Sequence, residues 1–414
     1  MTELTNARPR AFRHFLRRPS GDELAKVLCM TIAVSFASYF VVSTSTTRLL
    51  FYLTVLPPAV YLIKVYGLHS VLRCRVWQLG AALCVASLVS LFWSTGDLEA
   101  YFDAVREPLI LGTFLTAGVV LAARQRLDER LLVGLVLAAA GVSGLLVLAF
   151  AGHLGMSWGG GRLIGFGWAA KNPNVLGSIY GAAGVAAIAT VLRARVRWLQ
   201  VAGLCVALVC VSCVVLSGSR TAMLGLVAAA LTIGVARNWR AVAGILVALA
   251  GVFAALSVVG VTSIESLIAR GDSSRLEIWI HTLPLIGDAP MFGAGSATGY
   301  AIESPDGHTF QKAHNVFIGT AYRLGALGVT FIALLTVRLL WGAFKLALAG
   351  DAGYLAALTF GYTSLSLNGH TLVDQPQVAW LVLWLPALLL VQREWEPGQP
   401  PNRTNDGGVG DTSG

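Results

Sequence analysis

The chain has 414 residues, of which 56% are hydrophobic and only 12% charged, with a mean hydropathy of +0.71. That composition excludes a water-soluble domain and belongs to a protein whose solvent is largely the bilayer. A formal net charge of +9 would suit a nucleic-acid surface only if a sizeable basic domain carried it, and the sequence has none.

In chain order, residues 1–23 form a basic segment holding Arg8, Arg10, Arg13, Arg17 and Arg18. Apolar runs then recur at roughly 24–42, 48–65, 77–93, 104–123, 131–150, 174–192, 198–216, 221–236, 240–259, 314–337, 353–370 and 377–391. Each is near the ~20 residues that cross ~30 Å of hydrocarbon as helix. The expected fold class is therefore all-α, a polytopic membrane protein with about 12 transmembrane helices. No small-residue cleavage site follows the first run, which reads as a retained span. Spans one to nine fill 24–259, a large outer loop occupies 260–313, and spans ten to twelve fill 314–391. Residues 392–414, rich in Pro, Gly and Asn, are expected to be a disordered tail.

Lys and Arg set the orientation, because positive loops stay on the cytoplasmic side. With twelve spans both termini share a side, and that side collects most of the 30 basic residues, among them Arg73, Arg75, Arg124, Arg126, Arg130, Arg193, Arg195, Arg197, Arg338 and Lys345. The far side keeps Arg48, Arg106, Arg162, Lys171, Arg220, Arg270, Arg275 and Lys312, although its loops are longer, and Arg323 falls inside a span. The charge is thus mostly topology. Five of the six cysteines lie within spans and Cys74 in a cytoplasmic loop, so no disulfide framework is implied, and Cys210 and Cys213 read as small packing residues. A phosphate-binding glycine loop is absent and the inner loops are short, so no nucleotide partner is expected.

Chemistry must then come from the outer ends of the helices. Even-numbered spans run inward from that face, so their unpaired N–H groups and positive dipole ends point outward, where they attract anions. Polar residues gather at these ends. "KNPN" opens span six, with Asn172 as N-cap, Pro173 at the first helical position, and Lys171 and Asn174 beside them. "SGSRTA" opens span eight, where Ser217 or Ser219 can cap and Arg220 projects at the mouth. "KAHN" opens span ten with Lys312, His314 and Asn315. In the large loop "SSRLEIWIHTLPL" reads as an amphipathic helix with Ser274 as N-cap, Glu277 as its capping-box partner and Arg275 as first helical residue. Each feature also has a plain reading: an outer arginine can snorkel to headgroups, and Trp158, Trp168, Trp279 and Phe292 can be interfacial belt residues rather than sugar platforms.

In the order "GRLIGFGWAAKNPN", "SGSRTA", "SSRLEIW" followed by "DAPMFGAGSATGY", then "KAHNVF" and "LGALG", these stretches resemble the O-antigen ligase and polymerase superfamily of polytopic glycosyltransferases. The resemblance covers residues ~160–330, and the twelve-span plan extends it along the chain. It implies a GT-C-like fold with a helical periplasmic loop. It also implies metal-independent, inverting transfer of a glycan from undecaprenyl diphosphate-linked O-antigen to a sugar of the lipid A-core oligosaccharide, at the periplasmic face of a bacterial inner membrane. Arg220, Arg275 and His314 match the family's functional positions. Relatives often carry an acidic residue before the Gly-x-x-Gly, where "YRLGALG" has Arg323, so no role is carried to that position.

The residues suit that chemistry. A sugar on a diphosphate already has a good leaving group, so stabilising the departing charge matters most, and Arg220 and Arg275 can do so. The acceptor hydroxyl must lose a proton as it attacks, and an imidazole such as His314, with an ordinary pKa near ~6.5, is a suitable base. Lys171, Asn172, Asn174, Lys312 and Asn315 form a possible secondary site. No outer carboxylates form a tight D-x-D pair, so no catalytic metal and no cofactor are expected. An O-antigen polymerase and a protein O-oligosaccharyltransferase stay open as alternatives. A lipid-linked oligosaccharide transporter is the rival of another class; it should show repeat symmetry and bury charge near the midplane, where only Arg323 stands in the sequence.

Overall fold

The computed structural model describes residues 20–153, 161–167, 172–236, 243–244, 247, 250–251, 254, 275–303 and 309–395. The described residues are helical apart from connections and one two-residue antiparallel ladder, which joins β1 (Ile302–Glu303) to β2 (Thr309–Phe310). The chain-order helices are α1 (Gly21–Ser38), α2 (Thr44–Tyr66), α3 (Arg75–Trp93), α4 (Leu98–Ala123), α5 (Glu129–Ala149), α6 (Pro173–Arg193), α7 (Arg197–Ser217), α8 (Arg220–Ala236), α9 (Arg275–Asp288), α10 (Val316–Leu348), α11 (Gly353–Asn368) and α12 (Leu385–Glu394). Seven of these, α2 to α7 and α10, are long and apolar enough to cross a bilayer. The protein is a multi-pass helical membrane protein. Helices α1, α8, α11 and α12 coincide with further expected spans but are shorter or more charged. The expected ninth span, 240–259, lies outside the described residues except for scattered helical positions, as do the tail from 396 and the basic segment 1–19.

Local chemistry sets the helix starts. The Ser20 hydroxyl accepts from Glu23 N while Glu23 Oε2 takes Ser20 N, a reciprocal capping box that starts α1 three residues before the first expected span. Asp97 caps α4 through Ala100 N, and Asp128 caps α5 through Leu131 N. A π-turn comes just before proline twice: Phe51–Val55 within α2 precedes Pro57 and Pro58, and Trp380–Trp384 runs directly into α12 ahead of Pro386. A widened turn leaves room for a residue that cannot donate to the ladder.

Helix α7 packs along α6, α8 along α11, α1 along α5, and α10 against both α3 and α11. Lipid is as apolar as leucine, so close packing and polar contacts hold these helices together rather than hydrophobic burial. At one end of the bundle ion pairs do this: Arg193 meets Glu129 at 2.7 Å and Asp351 at 2.8 Å, Arg126 meets Asp22 at 2.8 Å, and Arg338 pairs with Glu394. Cys210 and Cys213 are free and buried among the helices, as packing residues would be.

The decisive feature lies in α10. Its 33 residues are interrupted at Gly325, whose φ of 60° and ψ of −155° break the helical ladder. The break frees backbone groups on both sides, and the stretch after α9 takes them up. Ala294 N donates to Tyr322 O at 2.8 Å and Gly295 N to Arg323 O at 3.0 Å; Ala326 N donates to Pro290 O at 2.8 Å and Leu327 N to Met291 O at 3.2 Å. Four hydrogen bonds thereby stitch "PMFGAG" into the broken helix, satisfying groups that could not be left bare at membrane depth. Only glycine fits either side of the seam. A Cβ on Gly325 would lie 2.4 Å from Met291 C, one on Gly293 would lie 2.4 Å from Arg323 C, and both residues have positive φ.

The seam predicts that Gly293→Val destabilises the folded protein by at least ~2 kcal/mol, combining left-handed backbone strain with overlap against the α10 backbone. Gly134→Ala, which meets nothing within 4 Å, should be neutral or slightly stabilising. Thermal denaturation of the purified variants in detergent checks this; equal midpoints for Gly293→Val and the parent would dismiss the seam as a constraint.

Candidate active site

The start of α8 is built by a tight turn from α7. Gly218 ends α7 in the left-handed region, Ser219 N donates to Ser217 Oγ at 3.2 Å, and Ala222 N donates to Ser219 Oγ at 3.4 Å. Both serines of "SGSRTA" therefore serve the turn, and Ser219 is fully buried. This leaves Arg220 as the exposed first residue of α8.

Arg275 is the first residue of α9, as expected, while its proposed cap Ser274 lies outside the described residues. Its Nη1 donates to Thr221 Oγ1 at 2.8 Å, which draws the α9 start onto the first turn of α8. Two guanidiniums thus share one place at a helix N-terminus. Burial, and then the charge of Arg220, lower the proton affinity of Arg275 from its ordinary value. An anion seated there would relieve both the repulsion and the lost solvation.

His314 does not open α10, as the sequence reading had it. Asn315 is the N-cap, its side chain accepting from Phe317 N at 2.9 Å and Ile318 N at 3.2 Å, and the helix proper starts at Val316. A carboxamide oxygen suits that capping role. His314 sits just ahead of it with φ of 50°, a conformation non-glycine residues seldom adopt, so the ring is set apart from the helix. Burial lowers its pKa from the ordinary histidine range, Arg275 and then Lys312 lower it further, and a hydrogen bond with the Asn368 side chain opposes them. At neutral pH the imidazole is therefore in its base form. His314, Arg275 and Arg220 are electrostatically coupled in sequence, each to the next.

The possible secondary site divides. Asn172 is used as the cap of α6, accepting from Asn174 N at 2.9 Å and Val175 N at 3.4 Å. Asn174 Oδ1 accepts from Arg162 Nη2 at 2.7 Å, and Arg162 Nε donates to Ser217 O at 2.8 Å, tying "GRL" to the same α7–α8 turn. Asn315 is committed to capping, Lys312 is exposed beside His314, and Lys171 lies outside the described residues. Trp279 Nε1 donates to Ala313 O at 2.9 Å, which fastens α9 to the His314 segment, and Phe292 packs on Trp93. Trp158 and Trp168 lie outside the described residues.

A second polar cluster adjoins this site and was not legible in the sequence. Arg323 lies on α10 before the break, and its Nη2 lies 2.8 Å from His370 Nε2. It is also in the field of Asp374 and Glu107, which lie near enough to influence each other. Burial pushes the Asp374 carboxyl above the usual carboxylate range. Arg323 is thus not a solitary charge in a span; it has acidic companions from α4 and from the stretch after α11. Residues 47 to 267 positions apart meet here, with no local motif to announce them.

The electrostatics predict that His314 titrates below the ordinary ~6.5 and that Arg275→Gln, by removing the nearest positive charge, raises its pKa. Histidine-selective NMR of the protein in nanodiscs checks both, with His314→Gln assigning the resonance. A wild-type value at or above ~6.5, or no change in Arg275→Gln, would contradict the coupling.

Residues 205–333 match the family described as O-antigen ligase, a stretch that contains Arg220, Arg275, His314 and both glycines of the seam. Along its length the chain is also similar to the O-antigen ligase of Pseudomonas aeruginosa, with 27% identity over 380 residues, covering 87% of this chain and 88% of that one. The resemblance carried by the motifs therefore holds: this multi-pass membrane protein is similar to O-antigen ligases, over residues 205–333 by the family match and along most of its length by the Pseudomonas relative.

Proposed function

We propose that this protein ligates O-antigen in lipopolysaccharide biosynthesis, moving the polysaccharide from undecaprenyl diphosphate to a sugar of lipid A-core at the periplasmic face of the inner membrane. The observation that carries this reading is the pairing of Arg220 and Arg275 through Thr221 at the N-terminus of α8, with a neutral imidazole alongside. The guanidiniums, at the positive end of the α8 dipole, receive the donor's diphosphate. Their stabilisation grows as the bond from the anomeric carbon to the phosphate oxygen breaks and charge collects on the leaving group. His314 accepts the proton of the acceptor hydroxyl as that oxygen attacks the anomeric carbon from the opposite side, inverting it. The imidazolium then returns its proton to water. Because charge on the diphosphate is met by arginine, the reaction requires no metal. Both termini face the cytoplasm, and lipid-facing helices beside the site accommodate the polyprenyl chain.

Reconstitution with lipid-linked O-antigen and core-lipid A tests this. Arg220→Ala and Arg275→Ala should each lower turnover by at least ~100-fold, and Lys at either position should restore only part, since an ammonium lacks the two-pronged fork. His314→Ala should abolish transfer while donor binding persists, and EDTA should have no effect. Lys312→Cys, at an exposed position, should react with a membrane-impermeant thiol reagent added from the periplasmic side. Donor chains lengthening with no transfer to core-lipid A would convert the reading to a polymerase; full turnover in either alanine arginine variant would remove that residue from the mechanism.

A further inference from the structure

Helix α9 packs along one side only. With about 100° between successive residues of a helix, its side chains fall on three arcs. Arg275, Ile278, Trp279, Thr282 and Ile286 share the first: Ile278 and Thr282 are buried, and Trp279 and Ile286 pack against the cluster of Tyr300, Ile302 and Tyr322. Leu276, Ile280 and Leu283 share the second, and each is more than half exposed. The third holds Glu277, His281 and Asp288, which are all the titratable side chains of α9 other than Arg275. Leu285 borders the packed arc. A helix whose free side met only water would be polar across that whole side. Here the free side is divided lengthwise into an apolar strip and a charged one, the pattern of a helix lying at a boundary between water and hydrocarbon.

The apolar strip continues past the end of the helix onto surfaces that face lipid. Met291 and Phe292 follow α9 and are also more than half exposed. Met291 O accepts from Leu327 N, and Leu327 heads a stripe of exposed side chains on α10, with Leu334, Trp341 and Leu348 following at intervals of seven residues. That helix is long and apolar enough to cross a bilayer, so its exposed stripe meets acyl chains. On the other flank Phe292 meets Trp93 edge-on, with ring centroids 6.0 Å apart, and the neighbouring Phe92 is exposed at the end of α3, another such helix. A docking site for a soluble partner would be an apolar patch rimmed by polar residues. This strip instead joins the lipid-facing sides of two spans.

We infer that α9 lies in the membrane interface, with Leu276, Ile280 and Leu283 set into the boundary between headgroups and acyl chains and with Glu277, His281 and Asp288 in water. The partner of its exposed face is the bilayer itself. This seat also fixes the depth of Arg275. The arginine stands on the packed arc, and its Nη1 reaches Thr221 in the first turn of α8. A helix held at headgroup level by its apolar strip therefore holds this guanidinium where the diphosphate of a lipid-linked donor stands. Lipid contact on one arc and the diphosphate contact on another make α9 a spacer between membrane and site.

The test of lipid contact needs no activity. Leu276→Cys, Glu277→Cys, Ile280→Cys, His281→Cys and Leu283→Cys are made singly in the full chain on a Cys205→Ser background, because Cys205 is exposed and the other five native cysteines are buried. Each is labelled with bimane and placed in phosphatidylcholine nanodiscs, and quenching by a doxyl-labelled phosphatidylcholine is compared with quenching by aqueous iodide. Labels at 276, 280 and 283 should be quenched by the lipid and shielded from iodide, and labels at 277 and 281 the reverse. Iodide access at all five positions overturns the seat, and so does shielding of 276, 280 and 283 from both quenchers, which would mean that another polypeptide surface covers the strip. The effect on the site is read from donor KM with lipid-linked O-antigen: Ile280→Gln combined with Leu283→Gln should raise it by at least ~5-fold, and His281→Gln should leave it within ~2-fold. This second half rests on Arg275 receiving the donor's diphosphate, and Arg275→Ala keeps the two apart. A parental donor KM in Arg275→Ala removes that reading, whereas a raised KM there with a parental KM in the double glutamine variant overturns the role of the seat.

Discussion

A break in one membrane helix organises this end of the molecule. At Gly325 the ladder of α10 stops, and the carbonyls of Tyr322 and Arg323 and the amides of Ala326 and Leu327 would stand bare at membrane depth were they not taken by residues 290–295. Satisfying those groups commits the stretch after α9 to one docking position, and α9 itself packs on α10. The N-terminus of α9 then reaches the first turn of α8, where Arg275 finds Thr221. The short helical piece before the break carries Arg323 toward His370 and leaves His314 just outside the helix. Backbone hydrogen bonding, rather than any property of the functional side chains, thus sets the distances among them.

The charges at this site work against the fold. Two guanidiniums at a helix N-terminus, one of them half-buried, repel each other and the helix dipole. The same environment keeps His314 neutral. A cationic field and burial both disfavour imidazolium. The opposing influence is the Asn368 amide. This setting differs from the ion pairs at the other end of the bundle, where Arg193, Arg126 and Arg338 each have a direct carboxylate partner.

Much of this was legible in the sequence because it is local. Apolar runs, helix caps and the asymmetry of Lys and Arg depend on near neighbours or on the bilayer, and so Asn172 as a cap, Arg220 at the first position of α8 and Arg275 at the first position of α9 could be read directly. His314 was found by type and spacing but misplaced by two residues, because a histidine next to an asparagine leaves open which of them caps. The backbone settled that: Asn315 takes the cap, and His314 adopts φ of 50°. Helix α1 likewise began earlier than its apolar run, since a capping box can start a helix with polar residues.

What the sequence alone determined is the solvent, the helical class and the residue types at the helix mouths, all fixed by hydropathy and caps that act over a few residues. The tertiary structure decided which mouths meet. Thr221 against Arg275, His370 against Arg323, and Glu107 near Asp374 join positions with no periodicity or spacing in common. Those pairings follow from the break at Gly325 and from the bracing of the segment after α11. Each arises from unsatisfied backbone and side-chain groups finding partners in a medium without water, a requirement that has no signature along the chain.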